Sequence, residues 1–271
     1  MTASPHPFDQ AIRLQSTADG RCSGQSHPAY ANLVGPFGGV TAATLLNAAM
    51  GHPDVLGEPV ALTVNYAAPI ADEPFDIRAR AVRTNRSTQH WIVEMQQDGD
   101  AVATATAVFA RRRETWSALE IAPPPVPPAS EVPVFAIPPY LPRWLQNYEM
   151  RLVHGDVDFS SAQETDDSVT TLWMRDHPPR PLDHLSLAAL SDAFLPRIFV
   201  RRQRFVPIGT VTLTTYFHAD SALLAAQGEA PLLATARASR FRDGYFDQTA
   251  ELWGSDGELL ATTHQLVYYR E

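Results

Sequence analysis

The chain has 271 residues, 45% of them hydrophobic and 19% charged, with a formal net charge of −9. This is enough apolar material for one large domain or two of about 130 residues, and the acidic balance argues against a nucleic-acid role, which needs a basic domain or stripe. No run of about 20 apolar residues predicts a membrane span; the opening "MTASPHPFDQAIRLQ" lacks a secretory signal, and the single cysteine, Cys22, suits a reducing cytoplasm.

In chain order, "GGVTAATLLNAAM" (38–50) is apolar around most of a helical circumference, which marks a helix wrapped by other structure. Four segments follow at 60–70, 75–85, 88–99 and 101–112, alternating and rich in β-branched and aromatic residues, as half-buried antiparallel strands are. Asp98-Gly99 supplies the turn between the last two. Residues 121–142 then hold nine of the chain's 23 prolines and predict a stiff, extended connector. Beyond it the order repeats. A helix is predicted over 184–195, "HLSLAALSDAFL", with strands at 209–220, 231–243, 245–257 and 258–270 and a turn at Asp256-Gly257.

Laying "TAATLLNAA" on "SLAALSDAF" pairs Asn47 with Asp192, and laying "DGDAVATATAVF" on "DGELLATTHQLV" pairs Ala107 with Gln265. The chain therefore reads as a duplicated unit: residues 1–120, a linker at 121–142, and residues 143–271. A long apolar helix across an antiparallel sheet describes the hotdog fold, and two tandem copies describe an α+β double hotdog.

Where the copies differ, the second carries polar groups at interior-leaning positions: Asp192 for Asn47, Gln265 for Ala107, and Thr210 for roughly Pro59. Each alone is an ordinary residue. Together, an acceptor-only carboxylate, a hydroxyl and an amide can hold a water while the carboxylate draws off its proton, which is general-base catalysis. Backbone N–H groups at a helix start could meet a developing oxyanion, either at "HLSLAALSDAFL" or at "GPFGGV", with Gly38 and Gly39.

These segments resemble the acyl-CoA thioesterase II family over most of the chain. "GPFGGVTAATLLNAA" is similar to that family's glycine-rich start of the first hotdog helix, and "ALSDAFLP" to the segment with its catalytic Asp. "GTVTLTTYFH" and "LLATTHQLVYYR" are similar to the strands with its catalytic Thr and Gln. The resemblance implies hydrolysis of acyl-CoA by water bound on Asp192, Thr210 and Gln265, and no cofactor beyond the CoA of the substrate; because the first copy lacks these three residues, one site per chain is expected. One departure stands out: the family's Asp-His pair in the Thr strand reads Thr212-Leu213 here.

Other chemistry finds less support. The nine histidines show no metal-ligand spacing, and there is no GxSxG nucleophile elbow. Asp183-His184 keeps a hotdog hydratase or dehydratase as a rival, and a non-catalytic acyl-CoA or lipid binder remains a second. Arg201, Arg202 and Arg204 are candidates for the CoA phosphates. His264, next to Gln265, is expected on the opposite sheet face, and exposed sheet edges are compatible with a homo-oligomer.

Overall fold

The computed structural model describes residues 5–17, 21–139, 141–160 and 163–271. A short helix α1 (Pro7–Ala11) precedes strands β1 (Gln15–Ser16) and β2 (Cys22–Gln25), helix α2 (Gly38–Met50), and strands β3 (Glu58–Tyr66), β4 (Pro74–Thr84), β5 (Thr88–Gln97) and β6 (Asp100–Ala110). After the connector come β7 (Tyr148–His154), β8 (Thr170–Asp176), α3 (His184–Leu190), α4 (Arg197–Arg202), β9 (Ile208–Phe217) and α5 (Ser221–Gln227). The chain closes with β10 (Leu232–Arg237), a two-residue β11 (Phe241–Arg242), β12 (Tyr245–Trp253) and β13 (Leu259–Tyr269). No helix among the described residues is long and apolar enough to cross a membrane.

All the strands join one antiparallel sheet in the order β1-β2-β4-β5-β6-β3-β9-β13-β12-β10-β8-β7, with β11 paired to β12. The two halves meet at β3 and β9, where Val64 faces Leu213, Thr63 faces Thr214 and Leu62 faces Thr215. Thr63 and Thr214 sit 3.1 Å apart, hydroxyl to hydroxyl. The register repeats as well. Leu62 pairs with Ala107, and Leu213 pairs with Gln265; a bulge then follows in both halves, between Pro59 and Ala61 and between Thr210 and Thr212. Thr210 thus corresponds to Pro59, as the sequence comparison suggests. A bulge conserved between the halves means that the same device bends both strands.

Helix α2 is buried along its length, apart from Asn47 and its two ends. Its hydroxyls find partners without leaving the apolar surroundings: Thr44 donates to the Val40 carbonyl at 2.7 Å. Asn47 donates to the Ile12 carbonyl at 2.8 Å, tying α2 to the end of α1. The helix stops at Gly51, and Pro53 follows. It packs on β3, β4, β5 and β6 and against α3. Leu45 and Leu46 have no solvent exposure, and burial of each is worth about 2 kcal/mol.

The proline-rich connector is docked. The Phe135 N–H donates to the Met150 carbonyl at 2.7 Å, Arg151 donates to the carbonyls of Ala129 and Val132, and the Trp173 indole donates to the Pro127 carbonyl. It thereby covers strand β7, the outermost strand on that side, which would otherwise offer unpaired backbone groups.

The helix expected over 184–195 is shorter. It runs from His184 to Leu190, with Asp183 capping its start, so Asp192 lies beyond the helix and not within it. The terminating sequence is local. The Ser191 hydroxyl bonds back to the Leu187 carbonyl, and the next N–H groups, of Asp192 and Ala193, tighten to carbonyls three residues back. Pro196 then disfavours helical backbone at Leu195 and opens α4 instead.

Candidate active site

The turn after α3 carries the Asp192 side chain toward β13, where Gln265 Nε2 donates to Asp192 Oδ1 at 2.9 Å. The Gly39 N–H also donates to this carboxylate. The residue as a whole keeps some solvent access, yet its carboxylate is enclosed by protein. Burial pushes its pKa up to about 7, against the opposing pull of the Gln265 and Gly39 hydrogen bonds. Near neutral pH this carboxyl can both take and release a proton, the condition for an effective general base.

The glycines that open α2 allow this approach. A Cβ on Gly39 would lie 2.4 Å from the Ala189 carbonyl oxygen, so the start of α2 and the end of α3 close to a distance only glycine permits. A Cβ on Gly38 would lie 2.6 Å from Asp192 Oδ2. The Tyr66 hydroxyl donates to the Gly38 carbonyl at 2.8 Å, and burial drives its own pKa far upward, so it stays a neutral donor. The positive end of the α2 dipole therefore faces the carboxylate. The Thr41 N–H is the first in α2 to meet an intrahelical carbonyl, that of Phe37, which leaves the N–H groups before it without an intrahelical partner.

Thr210 is brought to the same sheet face by the bulge. It stands opposite Val267, two residues from Gln265 on the buried face of β13. In a regular strand it would share neither face nor direction with Leu213, the partner of Gln265; the extra residue Val211 restores the alignment. No hydrogen bond joins Thr210 to Asp192 or Gln265 among the described residues, so the direct contact is between Asp192 and Gln265.

The α3 start, offered as an alternative source of oxyanion donors, stands at the far end of that helix from Asp192, about 10 Å away along its axis. The Asp183 carboxylate already accepts from the Ser186 N–H at 2.8 Å and from Arg180 at 2.6 Å. His184 is buried with its Nε2 3.2 Å from the Ala219 carbonyl, and burial lowers its pKa. This Asp-His pair is engaged in holding α3. His264 lies on the opposite face from Gln265, 3.6 Å from Asp247.

The arginines of "RIFVRRQRF", residues 197–205, divide in two. Arg202 pairs with Glu164 and Glu271, Arg204 with Glu271, and Arg201 with Glu164 and the Thr165 carbonyl. Arg197, by contrast, is wholly buried. Sequence reasoning missed it, together with Gln248, also buried, whose carbonyl oxygen accepts from Arg197 Nε at 2.9 Å. Gln248 was detectable: it falls on the inward phase of "YFDQTAELW", with Phe246, Ala250 and Leu252.

A family model described as "Acyl-CoA thioesterase N-terminal domain" matches residues 27–110, and one described as "Acyl-CoA thioesterase C-terminal domain" matches residues 120–269. A hotdog-fold protein of unknown function from Alicyclobacillus acidocaldarius is similar at 53% identity and a TM-score of 0.94, over 99% of each chain. A putative thioesterase II from Thermobifida fusca is 19% identical, with a TM-score of 0.83 over 97% of each chain. An acyl-CoA thioesterase II from Mycobacterium marinum is also 19% identical, with a TM-score of 0.75 over 97% of this chain and 98% of that one. No curated protein sequence matches. The α+β architecture is a hotdog fold, and the chain belongs to the acyl-CoA thioesterase family that its motifs resemble.

Proposed function

We propose that this protein is an acyl-CoA thioesterase built as two tandem hotdog units, with one hydrolytic site where the second unit's Asp192 meets the first unit's helix start. The observation that carries the reading is the Gln265–Asp192 hydrogen bond beneath Gly38 and Gly39. Asp192, with Thr210 and Gln265 beside it, binds a water and takes one of its protons as the oxygen attacks the thioester carbonyl carbon. The oxyanion that forms is met by first-turn N–H groups of α2. Collapse of the intermediate breaks the C–S bond, and the proton held by Asp192 returns to the departing CoA sulfur. The first unit has Asn47 and Ala107 at the corresponding places and shapes the pocket without a second base.

Thiol release from a panel of acyl-CoA substrates tests the activity. Hydrolysis is expected with a rate that rises with pH through about 7, because only the ionised Asp192 accepts a proton. Tight acyl-CoA binding without thiol release would favour the non-catalytic binder, and hydration of an enoyl-CoA would favour the hydratase.

In the same reading Arg201, Arg202 and Arg204 meet the CoA phosphates in exchange for their carboxylate partners, Glu164 and Glu271. The double variant Arg202→Ala, Arg204→Ala is expected to raise KM for acyl-CoA and to leave KM for the corresponding acyl-pantetheine unchanged. An equal change for both substrates would remove the arginines from nucleotide recognition.

A further inference from the structure

Arg197 is a cation in a place that does not reward one. Its Nη1 donates to the Ser168 carbonyl at 2.7 Å, to Thr170 Oγ1 at 2.9 Å and to the Ala236 carbonyl at 3.1 Å; Nη2 donates to the Leu195 carbonyl and Nε to Gln248 Oε1 at 2.9 Å. None of these acceptors is a carboxylate, and burial lowers the guanidinium pKa to about 9. Apolar residues of similar volume commonly replace buried ions with no loss of stability. The contacts instead converge on the site from two sides. The Leu195 carbonyl ends the turn that carries Asp192, and Gln248 stands directly opposite Gln265 in the β12–β13 ladder. Facing residues in such a ladder have Cβ atoms about 5 Å apart; no direct hydrogen bond joins the two amides among the described residues, and the spacing suits a single bridging water.

We infer that Arg197 and Gln248 are positioning residues that set the amide of Gln265 so that its NH2 faces Asp192, an inference resting on the reading of Asp192 and Gln265 as the hydrolytic pair. The logic is one of donors and acceptors. Arginine can only donate, so Gln248 must turn its oxygen toward it and its NH2 away. A water that accepts from that NH2 donates to the Gln265 oxygen, which leaves the Gln265 NH2 for Asp192. An obligatory donor at one end thus selects a carboxylate, the obligatory acceptor, at the other. Without the relay Gln265 is free to flip and accept from a protonated Asp192, which favours the neutral acid.

The test reads Asp192 itself. In protein carrying 13C-labelled aspartate, the Asp192 carboxyl signal is assigned by its loss in Asp192→Asn, and its titration is followed by NMR. Gln248→Met is expected to raise the apparent pKa of Asp192 by about half a unit or more, to move the acid limb of kcat by the same amount, and to leave KM unchanged. Among the described residues, the titratable groups that feel the Asp192 charge are the hydroxyls of Tyr66 and Tyr148, both held neutral by burial, so neither adds a charge across that range. In a Gln265→Leu background the Gln248 substitution is expected to add nothing, since its effect passes through that amide. If Gln248→Met does not fold, Gln248→Asn, an amide one methylene shorter, replaces it with a shift in the same direction. An unmoved Asp192 titration, or the same shift without Gln265, overturns the inference. The NMR readout needs no turnover: a shifted titration in a protein that hydrolyses no thioester would sink the thioesterase reading and leave this one standing.

Discussion

Replacing Asp192 by asparagine is expected to lower kcat for acyl-CoA hydrolysis by about 10³-fold at pH 8, the middle of the range for a lost general base. Asparagine keeps the shape and can still accept from Gln265 and Gly39, so substrate binding is expected to persist. Stability is expected to move the other way. The folded-state pKa of Asp192 lies at about 7, above the ordinary carboxyl value near 3.8, so the folded protein holds a proton that the unfolded chain has lost. Its contribution is fully present below the unfolded value and is lost as pH rises through about 7. The melting temperature of Asp192→Asn should therefore gain on wild type as pH rises from 5 to 8. Near-wild-type thiol release by Asp192→Asn would end the proposed mechanism.

The second large effect is expected at Gly38. The nearest atoms that a Cβ there would meet belong to side chains, Asp192 Oδ2 at 2.6 Å and the Tyr66 hydroxyl at 3.3 Å. Oδ1 is held by Gln265 at 2.9 Å, and the methyl group must rotate the carboxylate about that contact or break it. Gly38→Ala is expected to reduce kcat about 10²-fold, as misplacement of a reacting group by about 1 Å does, with little change in thermal stability. Gly39→Ala provides the contrast. Its Cβ would press on the Ala189 carbonyl and on the Phe37 ring at 2.5 Å, forcing α2 and α3 apart, so stability and activity should fall together. Equal thermal losses in the two variants would mean that Gly38 is a packing glycine only.

Much of this arrangement is legible in the order of the residues. Strands β3 to β6, β9, β10, β12 and β13 overlap the alternating segments to within two residues at their starts, because a half-buried strand writes its face into a period of two. The short flanking strands went unread, although "TTLWMRD" of β8 carries the same alternation. Apolar character alone extends the second helix to Leu195, since burial outlasts helical backbone there: Ala193 and Phe194 are as buried as the helix before them. Arg197 looks like one of a basic run, and only its neighbours Ile198, Phe199 and Val200, all buried with it, hint otherwise.

By itself the sequence determined the duplicated order of helix and strands, the family, and the three polar residues that break the symmetry between the halves, because these are properties of pattern and residue type. Tertiary structure decided which of those residues touch. It ended α3 before Asp192, laid the first half's glycines against the second half's carboxylate, and used one extra residue in β9 to turn Thr210 inward. Contacts such as that between Gln265 and Asp192, 73 residues apart, depend on register and on how two helices approach, and neither is encoded at any single position.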